Sequence, residues 1–81
     1  MSEPLIDWQL LGRLSRGHRK FRGLDVRGAG RQIGVSGSTV SRLERGHALS
    51  ADDLVRFCRW LNTAVETVLL EQPRKAEDMV E

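Results

Sequence analysis

The sequence predicts an all-α domain of five short helices, and three observations lead there. Apolar residues recur at spacings of three and four through most of the chain. Each such run follows an Asp, Ser or Thr able to cap a helix and precedes a Gly, Asn or Pro able to end one. No segment alternates apolar and polar residues with period two, so no strand is expected.

Asp7 stands ahead of Trp8, Leu10, Leu11, Leu14, His18 and Phe21, which places a first helix over residues 7–22. Asp7 or Ser2 can cap it and Gly23 can end it, while Gly12 and Gly17 each weaken it by about 1 kcal/mol relative to alanine. Asp25 can cap a second, shorter helix running to about Gln32, which Gly34 stops in the left-handed conformation. Ser36 can cap a third helix that runs to Arg45 and ends at Gly46. Ser50 with Asp53 resembles a capping box opening a fourth helix, whose Leu54, Phe57, Cys58 and Leu61 form one apolar stripe before Asn62. Thr63 with Glu66 forms the capping box of a fifth helix of a turn or two, with Val65, Val68 and Leu69 facing inward and Pro73 as its stop. Residues 1–72 are thus read as a single domain, and 73–81 as a flexible acidic tail with little to bury.

Size and composition narrow the function. A chain of 81 residues suits one small core, and 40% hydrophobic with 30% charged residues fits a soluble globular domain rather than a disordered one. The longest apolar runs, such as Val68 to Leu70, are far too short to span a bilayer, and the residues after Met1 lack the order of a signal peptide. A single cysteine, Cys58, cannot form an internal disulfide, so a reduced, cytoplasmic setting is expected. With His18 and His47 it matches no zinc spacing, so neither a metal nor another cofactor is expected. There is no nucleophile beside a base, no carboxylate pair in an apolar setting and no phosphate loop, which argues against an enzyme. Net charge is only +2, yet from Arg13 to His47 nine arginines and lysines face only Asp25 and Glu44. That asymmetry suits either a surface for phosphate or a solvated basic face.

The stretch GVSGSTVSRLERG, Gly34 to Gly46, asks for a particular packing. Its helix carries two arginines and only two apolar residues, Val40 and Leu43, so it buries little and must be held by its neighbours. Two helices joined by so short a turn cross steeply, which requires a small residue where one passes over the other; Gly30 stands there. Gly34 supplies the positive φ of the turn, and Val40 and Leu43, three apart, dock on one face against Ile33, Val35 and the core.

Small residue, glycine turn and paired apolar residues form a helix-turn-helix pattern. From Leu24 to Leu69 the chain resembles the XRE-like family of the phage repressor and Cro class, whose members are lambda-repressor-like DNA-binding domains. The match is densest over GVSGSTVSRLERG and extends to RKFRGL before it and DDLVRFCRWLNTAVETVL after it. The resemblance implies that the helix from Gly37 to Arg45 enters the DNA major groove with its first turn against base edges. Ser38, Thr39 and Arg42 are then the candidate base contacts: Arg42 can donate twice to guanine, and Thr39 can touch a thymine methyl. Ser36, Arg27, Arg45 and His47 are the candidate phosphate contacts, with solvated side chains as the ordinary alternative. For Arg19 and Glu44 the resemblance implies an ion pair joining the first helix to the third.

Three departures from the family pattern stand out. Val26 occupies a position often polar, Gly37 one where proline or glutamine is frequent, and Ala29 one usually held by leucine. Base reading then leans on Arg42, with shape and phosphate contacts supplying the rest. Proteins of this class usually bind inverted repeats in double-stranded DNA as symmetric homodimers. Trp60, off the stripe of its helix, is either the anchor of such an interface or a ring folded over the core. The expected function is a sequence-specific transcription regulator of the repressor type, cytoplasmic and nucleoid-associated, from a bacterium or phage. Two alternatives remain at this point: an antitoxin that blocks a toxin protein through the acidic segment from Glu71, and a restriction-modification controller.

Overall fold

The Asp7 carboxylate accepts from the Leu10 amide at 3.0 Å and opens α1 (Trp8–Phe21) in the computed structural model, which describes residues 5–70. Asp25 does the same for α2 (Val26–Ile33) by accepting from the Gly28 amide at 2.7 Å. Ser36 caps α3 (Gly37–Glu44), accepting from the Thr39 amide at 3.1 Å. Ser50 caps α4 (Ala51–Leu61), accepting from the Asp53 amide at 3.1 Å, and Asn62 ends it in the left-handed conformation. Each cap satisfies an amide that the helix itself leaves unpaired, typically for about 1 kcal/mol.

The described chain has four α-helices, not five. The last element, Val65–Val68, is a single 3₁₀ turn; it begins at Ala64 with no side-chain cap, so the expected box of Thr63 and Glu66 does not operate. The reason lies at the other end of the chain. Asp7 donates its amide to the Val68 carbonyl at 2.7 Å, Leu70 donates to the Leu5 carbonyl at 2.9 Å, and Ile6 and Leu69 pair in an isolated antiparallel bridge. The backbone groups that would prolong a helix are engaged by the segment before α1, and Leu69, expected inside, is left 43% exposed. Val68 alone of its group is fully buried.

Leu11, Ala29, Ile33, Val40, Leu43, Leu54, Phe57, Cys58 and Val68 form the core. The inner face of α1 is a second correction. Leu11, Gly12 and Ser15 face inward, whereas Leu14 and Phe21 of the expected apolar pattern lie exposed, Phe21 at 86%. A Cβ on Gly12 would run into the backbone carbonyl of Leu43, so α1 and α3 touch backbone to backbone at that point. This contact fixes the rotation of α1 and turns Leu14 and Phe21 outward, while Leu10 stays half-buried against the core. The cap assigned to Ser2, the stop assigned to Pro73 and the acidic tail from Glu71 lie outside the described residues.

Candidate nucleic-acid interface

The turn between α2 and α3 is built on backbone contact. Gly34 adopts φ +100°, a conformation an L side chain resists, and the amides of Gly34 and Val35 both donate to the Gly30 carbonyl, at 2.7 and 2.9 Å. A Cβ on Gly30 would sit 2.6 Å from the Val35 carbonyl oxygen, so nothing larger than glycine fits where the two helices cross.

On its inner side α3 is held by Val40 and Leu43, both essentially fully buried. At its end Glu44 is clamped by Arg19 of α1, which donates Nε to Oε2 at 2.7 Å and Nη2 to Oε1 at 3.0 Å, a bidentate pair. Arg19 Nη1 also donates to the Leu24 carbonyl at 2.9 Å, so one guanidinium ties α1, the loop before α2 and the end of α3. The hydrogen bonds that Arg19 donates to Glu44 raise its pKa above the ordinary arginine value; burial opposes them, and the charges of Glu44 and Asp25 add to the rise. Arg19 is therefore a structural cation and not part of the exposed basic surface.

The outer side of α3 presents Ser38, Ser41, Arg42 and Arg45, spaced as one helical face, with Ser41 half-buried and the others exposed. With Val26 and Arg27 from α2 and with Ser36 and Gly37, these residues line an open cleft of about 600 Å³. Three arginines and no acidic side chain face it. The absent side chain of Gly37 leaves the backbone of Arg27 close by: a Cβ there would lie 3.6 Å from the Arg27 Cα. The amino-terminal ends of α2 and α3 thus come together on the cleft, and their free amides and positive dipole ends add to the charge of the arginines.

The remaining candidates lie at its margin. Thr39 is half-buried, and its hydroxyl is 3.0 Å from that of Ser36, so the two hydroxyls form one unit at the cap. His47 is exposed, and its amide donates to the Arg42 carbonyl at 3.0 Å, closing the end of α3. Neither lines the cleft. Ser41 is a lining residue that sequence reading passed over, although its spacing of three from Ser38 is a sufficient signal. Trp60 is half-buried; its Nε1 donates to Gln32 Oε1 at 3.1 Å, and its ring meets His18 edge to face with centroids 4.7 Å apart. It bridges α1, α2 and α4 rather than projecting from α4.

Residues 10–70 match the family described as helix-turn-helix domain. The chain belongs to that family. No curated protein matches it. Among solved structures this helix-turn-helix domain is similar to the clp gene regulator ClgR from C. glutamicum, at 32% identity over 80% of this chain and 84% of that one, with a TM-score of 0.58. It is also similar to a hypothetical transcription factor, NHTF, from Neisseria: 21% identity, 98% and 95% coverage, TM-score 0.62. A third similarity is to hydroxypropylphosphonic acid epoxidase from S. wedmorenis at 18% identity, covering 84% of this chain, with a TM-score of 0.57. The chain spans only 36% of that epoxidase, and at such identity the likeness is one of fold.

Proposed function

We propose that this helix-turn-helix domain is a sequence-specific regulator of transcription that binds double-stranded DNA, acts as a repressor, and reads the major groove with α3. The observation that carries the reading is the outer face of α3. A helix anchored by only two buried side chains exposes Ser38, Ser41, Arg42 and Arg45 on a cleft with three arginines and no acid. Regulators of transcription among the similar structures support the same reading.

In this reading Arg42 donates in bidentate fashion to a guanine, Ser38 and Ser41 serve neighbouring base edges, and Thr39 adds a methyl contact from the margin. Arg27, Arg45, Ser36 and His47 hold phosphates on either side and set the register of α3 in the groove. Two copies bind half-sites one helical turn apart in an inverted repeat.

Selection of bound duplexes from a random pool, repeated with Arg42→Ala, tests the assignment. The variant loses preference at one base pair by about 1–3 kcal/mol while general affinity persists. Uniform weakening across all sequences would demote Arg42 to a phosphate contact. About five neutralised phosphates per bound dimer give a slope of log affinity on log salt near −4 to −5, and a slope near zero refutes DNA binding through this cleft.

A further inference from the structure

The outer face of α4 has no role in the reading above. Leu54, Phe57 and Cys58 turn inward, which leaves Asp52, Val55 and Arg59, at spacings of three and four, as one exposed stripe along the helix. Val55, 44% exposed, is the only large apolar side chain of α4 left in water. Asp52 and Arg59 are exposed as well, and among the described residues neither is in an ion pair. Arg56, to one side, is held by Asp53 at 2.9 Å and adds no free charge. α4 packs on α1 and α2, and none of its residues lines the cleft proposed to meet DNA. Among the described residues the stripe therefore has no partner, and it is acidic at one end, apolar in the middle and basic at the other.

A uniformly acidic or basic partner meets a like charge at one end of this stripe. A second α4 laid antiparallel meets none, because a two-fold axis beside residue 55 sets Asp52 against Arg59 of the second copy, Arg59 against its Asp52, and Val55 against its Val55. Laid parallel, the same stripe would set Asp52 on Asp52 and Arg59 on Arg59. We propose that two copies of this chain pair through antiparallel α4 helices, an inference that rests on the reading of two copies on an inverted repeat. From Asp52 to Arg59 the helix rises about 10 Å, so both charge pairs and the valines fall within a single stretch of contact. A contact between two helices of 11 residues lies below the roughly 1,200 Å² of a stable interface. Pairing therefore takes hold where neighbouring half-sites bring the copies together, or at comparable concentration in solution.

Disulfide trapping of the V55C chain tests this without DNA, at about 1 mM protein, the effective concentration of closely held copies. A disulfide needs Cα atoms within about 7 Å of each other, and the native thiol of Cys58 is buried. In a glutathione buffer V55C gives a dimer linked through position 55, as mapped by mass spectrometry. Its yield falls about tenfold in V55C/D52R and in V55C/R59D, where both charge contacts become repulsive, and returns to within about twofold in V55C/D52R/R59D. D52R/R59D sets the wrong charge at each end of the helix dipole, so the recovery does not come from a more stable α4. An equimolar mixture of V55C/D52R and V55C/R59D gives the mixed dimer in about tenfold excess over either like dimer. Should V55C/D52R/R59D not fold, as judged by circular dichroism, the mixture decides alone. A V55C chain that gives no linked dimer overturns the proposal; so does a V55C/D52R yield equal to that of V55C, a folded triple variant without recovery, or a mixture with no excess of the mixed dimer. DNA binding by the native chain is measured separately, so its failure would sink the reading of α3 and leave the trapping result in place.

Discussion

Replacing Glu44 by alanine tests how α3 is held. The pair of Arg19 and Glu44 is well enclosed, with side chains 14% and 10% exposed, and its two short hydrogen bonds leave little room for water. In Glu44→Ala the Arg19 guanidinium keeps the Leu24 carbonyl as its one described partner and stays largely desolvated. Breaking one side of a buried pair costs about 3–5 kcal/mol, and the residual exposure places this case near about 3. For a domain of this length each kcal/mol moves Tm by about 4–8 °C, so a fall of about 12–24 °C is expected. Thermal and urea unfolding followed by far-ultraviolet circular dichroism reads it directly. The double variant Arg19→Met, Glu44→Leu recovers most of the loss, because apolar side chains can replace a buried ion pair at little net cost. A Glu44→Ala protein within about 0.5 kcal/mol of wild type, the level of an ordinary surface change, refutes the clamp. Additive losses in the double variant refute the claim that a stranded charge is what destabilises.

Two glycines should respond in opposite directions. Gly30→Ala forces a methyl against the Val35 carbonyl and costs about 1–3 kcal/mol, whereas Gly17→Ala adds a methyl in open space and stabilises α1 by about 1 kcal/mol; equal effects in urea unfolding would remove the backbone-contact argument. Burial in the core pushes the Cys58 thiol above its ordinary value of 9.0, so the native protein resists iodoacetamide at mildly alkaline pH until urea unfolds it. The same shift has a sign in stability: the contribution is intact below 9.0 and is lost as pH rises above it, because the unfolded thiol ionises first. A native alkylation rate matching the unfolded one would contradict both.

Local chemistry was legible in the sequence and contacts between distant segments were not. Asp7, Asp25, Ser36 and Ser50 act on amides three residues away, so a one-dimensional pattern contains all that is needed to place α1 to α4 within a residue or two. Thr63 shows the limit. Its spacing to Glu66 is that of a capping box, but the carbonyl of Val68 is claimed by Asp7 from the other end of the chain, and no local pattern reports such a competitor. Gly12 shows it again: from sequence it reads as a weak point of a helix, while in the fold it is where α3 presses on α1. The outer face of α3 was legible because Val40 and Leu43 fix its rotation, and Ser41 was passed over although it lies on the same face between Ser38 and Arg45. The turned-out Leu14 and Phe21 follow from the Gly12 contact and could not be read without it.

The two backbone contacts also explain how a helix with so small a buried face can hold a fixed position. Eight residues are too few for a stable helix in isolation, and two buried side chains add little. Gly12 and Gly30 instead let α1 and α2 meet α3 at backbone distance, where Arg19 and Ser36 then bind its two ends. Almost none of that support comes from the outward side chains. Ser38 and Arg42 can therefore be exchanged within about 0.5 kcal/mol of stability, as for other surface positions, so a change of base preference need not unfold the domain. Thr39 differs, because its hydroxyl is joined to the Ser36 cap; altering it disturbs the start of α3 together with any contact to DNA. The separation of holding residues from reading residues runs along the axis of α3 as well as around it, and Thr39 marks where the two overlap.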